Sequence, residues 1–185
     1  MTALHFSRRV LAAVLTAGLL SPAGAFAADR SALEREARTA LQKLTSTVPA
    51  AKSLSGNAAA VLVFPKVTKA GLGIGGQYGD GVLFKGGKAV GYYNTTGASY
   101  GLQAGAQTFG YAMFLMNDKA VTALGANEGF EVGVGPSVVV MDEGKAKTMT
   151  TTTAKDDIYA FIFGQKGLMG GLGVQGNKIT KINPK

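Results

Sequence analysis

A glycine motif is the feature of the sequence that most resembles a site for chemistry. Residues 71–76 read Gly-Leu-Gly-Ile-Gly-Gly, which fits the G-x-G-x-x-G loop that holds a dinucleotide pyrophosphate at the start of a helix. Such a loop also needs an acidic residue about 20 positions later to bind the ribose. Residues 77–81 cannot sustain a helix, Asp80 is too close, and the next carboxylate, Asp118, is too far away. We therefore expect no nucleotide binding, and the alternation of residues predicts a strand over 70–78.

The glycines of this strand leave one of its faces bare. Gly71, Gly73 and Gly75 would lie on the same face because side chains alternate along a strand, and the pattern returns in residues 170–174. Glycine inside a strand usually marks a bend, a bulge or the close approach of another group. Two coverings for the bare face stay open: the protein's own helix, or a cavity that holds an acyl chain.

Side chains for catalysis are scarce. Cysteine is absent, and the single histidine is His5, which lies in a predicted signal peptide. The mature chain therefore has no Ser-His or Cys-His nucleophile pair and no ordinary zinc or copper site. Acidic pairs at 142–143 and 156–157 would point to opposite faces of a strand, so paired-acid hydrolysis is only a third alternative. We expect no catalytic residue, no cofactor and no metal, and predict that the protein is not an enzyme.

Basic side chains remain as candidates for binding. The chain has 19 Lys and Arg against 11 Asp and Glu, and such an excess favours anionic partners. Four basic residues fall on a predicted N-terminal helix, away from its apolar face, and two flank the glycine strand. The predicted lipid-binding residues are Arg30, Arg35, Arg38, Lys43, Lys66 and Lys69.

Both groups of basic residues have a structural alternative. An amphipathic helix with basic residues on its polar side can lie on an anionic membrane, but a helix that packs on its own sheet would have the same pattern. Lys66 and Lys69 could contact head-group phosphates as point charges, or they could be a pair of solvated loop lysines.

The first 27 residues predict an export signal. Arg8 and Arg9 precede an uncharged apolar run of eleven residues, 10–20, and residues 25–27 form an A-x-A cleavage site. Eleven residues are too few to span a bilayer, which needs about 20. The signal resembles a twin-arginine signal, and the general secretory route stays open. We therefore expect residues 1–27 to be removed and the mature protein, 28–185, to be periplasmic.

The mature chain divides at its first glycine, Gly56. The glycine-free segment 28–55 predicts helix, with a second short helix that begins at Pro49 and ends before Gly56. Residues 56–185 predict mainly strands, because the apolar pattern changes to a period of two. The first predicted elements are a strand at 60–64 stopped by Pro65 and a hairpin at 82–92 around Gly86-Gly87. They are followed by strands at 98–107, 111–116, 138–141 and 158–163, with a threonine-rich strand or loop at 145–153. A short helix capped by Asn117 ends near Gly125, and a last pair of strands lies at 168–175 and 178–182.

These elements predict one α+β domain. Its largely antiparallel, glycine-rich sheet would be curved or closed into a barrel, and it would pack with the N-terminal helical segment and the short mid-chain helix. No linker or low-complexity segment separates a second domain within 28–185.

Several longer stretches resemble one family when they are taken together. They are, in order, VLVFPKVTKAGLGIGGQYGDGVL at 61–83, GASYGLQAGAQTFGYAMFLMN at 97–117 with AVTAL at 120–124, GVGPSVVV at 133–140 and DIYAFIFGQKGLMGGLGVQG at 157–176. Their joint order, from about residue 37 to 176, resembles the SYLF lipid-binding domain family, in its bacterial exported form.

The resemblance implies a non-catalytic protein that binds anionic lipids. In the family, lipid contact is attributed to the basic N-terminal helix, whose matching positions here are Arg30, Arg35, Arg38 and Lys43. We therefore predict a periplasmic protein that contacts anionic phospholipids or the membrane surface at the cell envelope, and that binds neither nucleic acid nor nucleotide. The actin and phosphoinositide partners of eukaryotic members are not expected in a periplasm. The alternative is a structural or partner-binding envelope protein without a lipid ligand.

Overall fold

The computed structural model describes residues 30–125, 129–132, 134–141, 155–167 and 176–184. The predicted signal peptide at 1–27 and the predicted elements at 145–153 and 168–175 lie outside these residues. The elements are α1 (Arg30–Thr47), α2 (Pro49–Asn57), β1 (Ala60–Lys85), β2 (Lys88–Leu115), α3 (Asp118–Leu124), β3 (Phe130–Glu131), β4 (Val138–Met141), β5 (Ile158–Gly167) and β6 (Lys178–Ile182).

The strands of the described residues form one curled, mostly antiparallel sheet. Its order is β3-β6-β2-β5-β4, with β1 paired to β2 outside this path, and β4 and β5 form a parallel pair. Helix α1 packs mainly on β1 and on α2. The predicted α+β class, with a curved antiparallel sheet beside an N-terminal helical segment and a short mid-chain helix, is confirmed.

The long strands β1 and β2 form a ribbon that folds back on itself. They pair from Ala60 with Leu115 to Lys85 with Lys88, and the register shifts between Phe64 and Val67, between Leu72 and Ile74, and between Leu83 and Phe84. A Cβ atom built on Gly71 would lie 2.3 Å from the Cα atom of Gly75, and one built on Gly79 would lie 2.7 Å from the carbonyl oxygen of Lys66. Residues on the two sides of position 73 therefore face each other, and β1 bends sharply there.

This fold-back explains the glycine motif of residues 71–76. The motif lies within β1, as the alternation predicts, but neither of the two expected coverings holds at Gly71. The nearest atoms to its bare side belong to Ile74 and Gly75 of the same strand. A side chain at position 71 would occupy the space that the returning backbone needs, and the glycine is required for the bend.

Two local predictions for the ribbon have opposite outcomes. The Gly86-Gly87 turn is confirmed, and both residues have the positive φ angles, 57° and 76°, that a two-residue hairpin favours. The prediction that Pro65 stops the first strand is wrong, because β1 continues through it to Lys85. A register shift between Phe64 and Val67 accommodates the proline, which has no N–H group to donate to the neighbouring strand.

The sheet separates two apolar cores. Inside the curl, the ring of Phe64 stacks on that of Tyr111 at 4.6 Å between centroids, and the Tyr111 hydroxyl donates to Thr95 Oγ1 at 2.9 Å. Burial raises the pKa of the Tyr111 hydroxyl and keeps it a donor. On the outer face, α1 and α2 bury their apolar side chains against the sheet, among them Leu33 and Leu44. The apolar stripe of α1 is therefore core.

The short helix α3 is tied to β5 by Asp157. Asn117 caps α3 as predicted, and its Oδ1 accepts from the Ala120 N–H at 2.9 Å. Asn117 Nδ2 donates to Asp157 Oδ1 at 2.8 Å, and the Ser137 N–H donates to Asp157 Oδ2 at 3.0 Å. These bonds, together with Lys119, lower the pKa of Asp157 from 3.8 to about 2.

Acid should therefore weaken this connection. Because the folded pKa is depressed, Asp157 contributes stability above the unfolded value of 3.8, and this contribution is lost as the pH falls from about 4 towards 2. We expect Asp157→Asn to flatten the pH dependence of the free energy of unfolding in this range. Urea titrations at successive pH values measure it. Asp118→Asn, at an exposed position next to the same cap, is the control and should retain the wild-type slope.

Candidate functional site

An apolar groove opens on the outer face of the sheet, where the helical layer ends. Its volume is about 1020 Å³, at the upper end of the range of about 300–1,000 Å³ for ligand sites. The second half of α1 and the start of α2 form one wall, including Leu44. Strand β5 forms the floor from Phe161 to Phe163, and Met141 closes one side at the end of β4.

Two register shifts create the floor of this groove. The β1–β2 register slips between Phe64 and Val67, and the β2–β5 register slips between Thr108 and Gly110. At the centre, a Cβ atom on Gly110 would lie 2.4 Å from the ring of Phe163. The glycine therefore lets the aromatic ring lie directly on the strand, next to both register shifts. Bulges of this kind are frequent next to functional sites.

Lysines supply the only charged groups of the groove lining in the described part of the chain. Lys43 lies on the helical wall and Lys166 on β5, and both side chains are exposed. Lys66 is also exposed, next to the lining residue Pro65. Thr68 pairs with Thr108, and Thr108 pairs with Lys166. Directly paired residues lie on one face of a sheet, and Lys66 is two residues from Thr68, so Lys66 lies on the same outer face as Lys166. An apolar trough with two lysines in its lining and a third beside Pro65 suits an amphiphile with an anionic head.

The structure divides the four predicted basic positions of α1 into two pairs. Arg30 and Arg38 contact the protein's own sheet layer. Arg30 Nη2 donates to the Pro184 carbonyl at 3.0 Å, and its guanidinium lies 5.1 Å from the centroid of the Tyr92 ring. Arg38 Nη1 donates to the Gly87 carbonyl at 2.7 Å. Arg35 Nη1 donates to Ser31 Oγ of the same helix at 3.2 Å, and Lys43 lines the groove.

Arg38 should therefore contribute to stability. Its guanidinium lies 4.8 Å from the centroid of the Phe84 ring and holds α1 to the hairpin. We expect Arg38→Ala to lower the free energy of unfolding by about 1–2 kcal/mol, through loss of the hydrogen bond to Gly87 and of the contact with the ring. Arg35→Ala should change it by less than about 0.5 kcal/mol. Urea unfolding followed by circular dichroism measures both, and equal losses would show that Arg38 does not fasten the helix.

Lys69 differs from its neighbour Lys66. Its side chain is only 5% exposed, as is that of Gln107, its cross-strand partner. The fold-back also brings Lys69 opposite Gln77. Gly71 contacts Gly75 on one side of this pair, and Gly79 contacts Val67 on the other side. The solvated-loop interpretation is therefore wrong for Lys69, which lies in a buried polar cluster inside the curl, and Lys66 alone of this pair borders the groove.

Sequence reasoning missed half of the groove. Gly110, Phe163 and Lys166 lie on β2 and β5, far in sequence from the basic helix. A single lysine in a glycine-rich strand has no pattern that distinguishes it from a solvated surface residue. The signal that was available is Pro65 within an apolar strand, since proline inside a sheet often marks a bulge.

The fold and the site define a small α+β binding domain with an amphipathic groove. Residues 96–184, slightly under half of the chain, match the family model described as "Ysc84: Las17-binding protein actin regulator", which is the SYLF domain. Over these residues the match agrees with the SYLF resemblance of the sequence. The matched range contains Gly110, Phe163 and Lys166, whereas Lys43 and Lys66 precede it. A search of curated proteins finds no match.

Two absences among the described residues bear on the kind of site. None of their helices has the length and apolar character needed to cross a bilayer. They also contain no group of three or more His, Cys, Asp and Glu side chains arranged to hold a metal ion.

Proposed function

We propose that the protein is a non-enzymatic, exported protein that binds anionic phospholipids at the surface of the cell envelope. The observation that carries this proposal is the composition of the groove: an apolar floor of Phe161 and Phe163, two lining lysines, Lys43 and Lys166, and no carboxylate among its described lining residues. Lys66 lies next to the lining residue Pro65 and adds a third exposed cation. In this arrangement the head-group phosphate lies at Lys43, Lys66 and Lys166, and an acyl chain lies along the floor.

Electrostatics supports the membrane surface as the source of the lipid. Each lysine close to an anionic bilayer contributes about 1 kcal/mol of binding free energy at physiological salt. The three lysines are exposed, so they reach head groups without unfolding of the protein. Since the apolar stripe of α1 is buried in the core, the helix contributes Lys43 and Arg35 to the surface and does not insert. This is a more limited role for α1 than the resemblance implies.

The description of the matching family favours a second candidate, a protein partner. It refers to an actin regulator that binds another protein, so the groove could receive an acidic segment of an envelope protein. The same lysines would bind the acidic side chains of such a segment. The two candidates differ in whether the protein binds vesicles that contain lipid and no other protein.

Co-sedimentation with vesicles tests the proposal. The chain without residues 1–27 retains every described element, and it lacks the apolar run of residues 10–20, which would itself enter bilayers. We expect it to pellet with vesicles that contain phosphatidylglycerol, to pellet less as salt is raised, and to stay in solution with purely zwitterionic vesicles. Absence of pelleting with every lipid composition would reject lipid binding and favour the protein-partner candidate.

A further inference from the structure

The bend of the β1–β2 ribbon carries two large aliphatic side chains in solvent. Leu72 is 82% exposed and Ile74 is 68% exposed, on the side of β1 opposite to the bare glycine face. They lie at the point where the strand reverses, between Gly71 and Gly75, which meet across the bend. Exposed apolar side chains that lie close together at a bend, and are not scattered, indicate an interaction surface.

We propose that this bend, called here the aliphatic tip, is a wedge that inserts into the outer layer of an anionic bilayer. The proposal rests on the proposed function and adds a second contact with the membrane. Leu72 and Ile74 are separated from Lys66 by an even number of residues, and side chains alternate along a strand. The aliphatic tip and Lys66 therefore lie on one face of β1. A protein that rests on the bilayer with this face presents its lysine to phosphates and its aliphatic tip to the acyl region.

Charge on the ribbon favours a membrane over a protein surface of mixed charge. The ribbon, residues 60–115, contains one carboxylate, Asp80, against four lysines, Lys66, Lys69, Lys85 and Lys88. Asp80 accepts a hydrogen bond from Asn94 Nδ2 at 2.8 Å and lies six residues beyond Ile74. The net charge of the ribbon therefore attracts anionic head groups. Interfacial segments of membrane-binding proteins combine aliphatic and basic residues in the same way.

The geometry also makes the tip suitable for insertion. Backbone polar groups that enter a bilayer must be hydrogen-bonded within the protein. On the two sides of the bend, Leu72 pairs with Ala104 and Ile74 pairs with Tyr100, and the register shifts between these two pairs. Paired backbone therefore reaches both flanks of the tip, and insertion of the tip alone is shallow and leaves the sheet and helices in water.

The chain contains no tryptophan, so a single introduced indole reports on one position. Leu72→Trp is compared with Val90→Trp, at a position that is 53% exposed on the other half of the ribbon. Both variants, without residues 1–27, are mixed with vesicles of equal parts phosphatidylcholine and phosphatidylglycerol. We expect the emission of Trp at position 72 to shift to shorter wavelength and to be quenched by lipids brominated in the acyl chain. The emission of Trp at position 90 should do neither.

Pelleting of the same samples separates the possible failures. Pelleting without an emission shift at position 72 would overturn insertion and leave the proposed function intact. Absence of pelleting would overturn both. A shift that depends on protein concentration without vesicles would assign the tip to contact between two copies of the chain, and would also overturn insertion.

A polar tip gives a second measurement that does not depend on the probe. Leu72→Ser with Ile74→Ser alters only exposed side chains, so the fold should be retained. We expect partitioning into the same vesicles to fall by at least about tenfold, because two aliphatic side chains no longer leave water. The matched control is Val90→Ser with Val134→Ser, at positions that are 53% and 62% exposed. An equal fall in both double variants would contradict a specific role of the tip.

Discussion

Reversal of the three lysines at the groove is expected to abolish binding to anionic vesicles. Lys43→Glu, Lys66→Glu and Lys166→Glu together remove about 3 kcal/mol of attraction, at about 1 kcal/mol for each lysine near the surface. This alone weakens binding by at least about 100-fold, and repulsion by the new carboxylates adds to the loss. The dissociation constant is measured from co-sedimentation over a range of lipid concentrations.

A second triple variant controls for net charge. Lys85→Glu, Lys88→Glu and Lys181→Glu change the total charge by the same amount at exposed positions, and none of the three residues lines the groove. We expect this variant to lose far less affinity than the groove variant. Similar losses would mean that the basic charge of the whole protein, and not the groove, attracts the membrane.

The second large effect is expected at Gly71. In Gly71→Ala the new methyl group would lie 2.3 Å from the Gly75 Cα atom and 2.6 Å from the Ile74 carbonyl oxygen. Both neighbours are backbone atoms, which cannot rotate away as a side chain can. We expect a loss of about 3 kcal/mol, the upper end of the usual overpacking range, and a fall of roughly 6–12 °C in Tm for a domain of this size.

Gly76→Ala is the matched control, because it lies in the same motif and the same strand. The only neighbour of its added methyl group is the Gly97 carbonyl oxygen at 3.9 Å, which is ordinary contact. Alanine in a strand interior is also favoured over glycine by roughly 0.5–1 kcal/mol. Thermal unfolding should therefore show an unchanged or slightly raised Tm. Equal loss in both variants would contradict a bend that depends on position 71.

The elements that sequence alone predicts are those with local causes. Pro49 suits the first turn of α2, Asn117 caps α3 with its own side chain, and Gly86-Gly87 supplies the φ angles of a tight turn. Each signal acts within a few residues of its consequence. The predicted end of α2 before Gly56 is less accurate, since the helix continues to Asn57.

The bend of β1 has no such local cause. Alternating glycines fit a flat strand beneath a helix as well as a strand that folds onto itself. The difference depends on contacts between residues on the two sides of position 73, such as Gly79 with Val67. Likewise, Pro65 is tolerated within a strand only because the register between β1 and β2 shifts beside it. The sequence does not indicate which strand pairs with β1 at that shift.

The candidate site was half predictable for a similar reason. Helical periodicity places Arg30, Arg35, Arg38 and Lys43 on the polar sides of α1, where the structure has them exposed. It cannot distinguish a free cation from one such as Arg38, which bonds to a carbonyl 49 residues away. Lys166 joins Lys43 only through the pairing of β5 with β2, which no short motif encodes.

A titration with a soluble lipid tests the central claim most directly. The chain without residues 1–27, labelled with ¹⁵N, is titrated with a short-chain phosphatidylglycerol below its micelle concentration, and the amide shifts are followed by NMR. We predict that the largest shifts occur at Lys43, Lys66, Gly110, Phe163 and Lys166, and that the matching phosphatidylcholine causes much smaller ones. Shifts centred on the 85–88 hairpin, or none at any residue, would contradict the assignment of this groove as an anionic-lipid site.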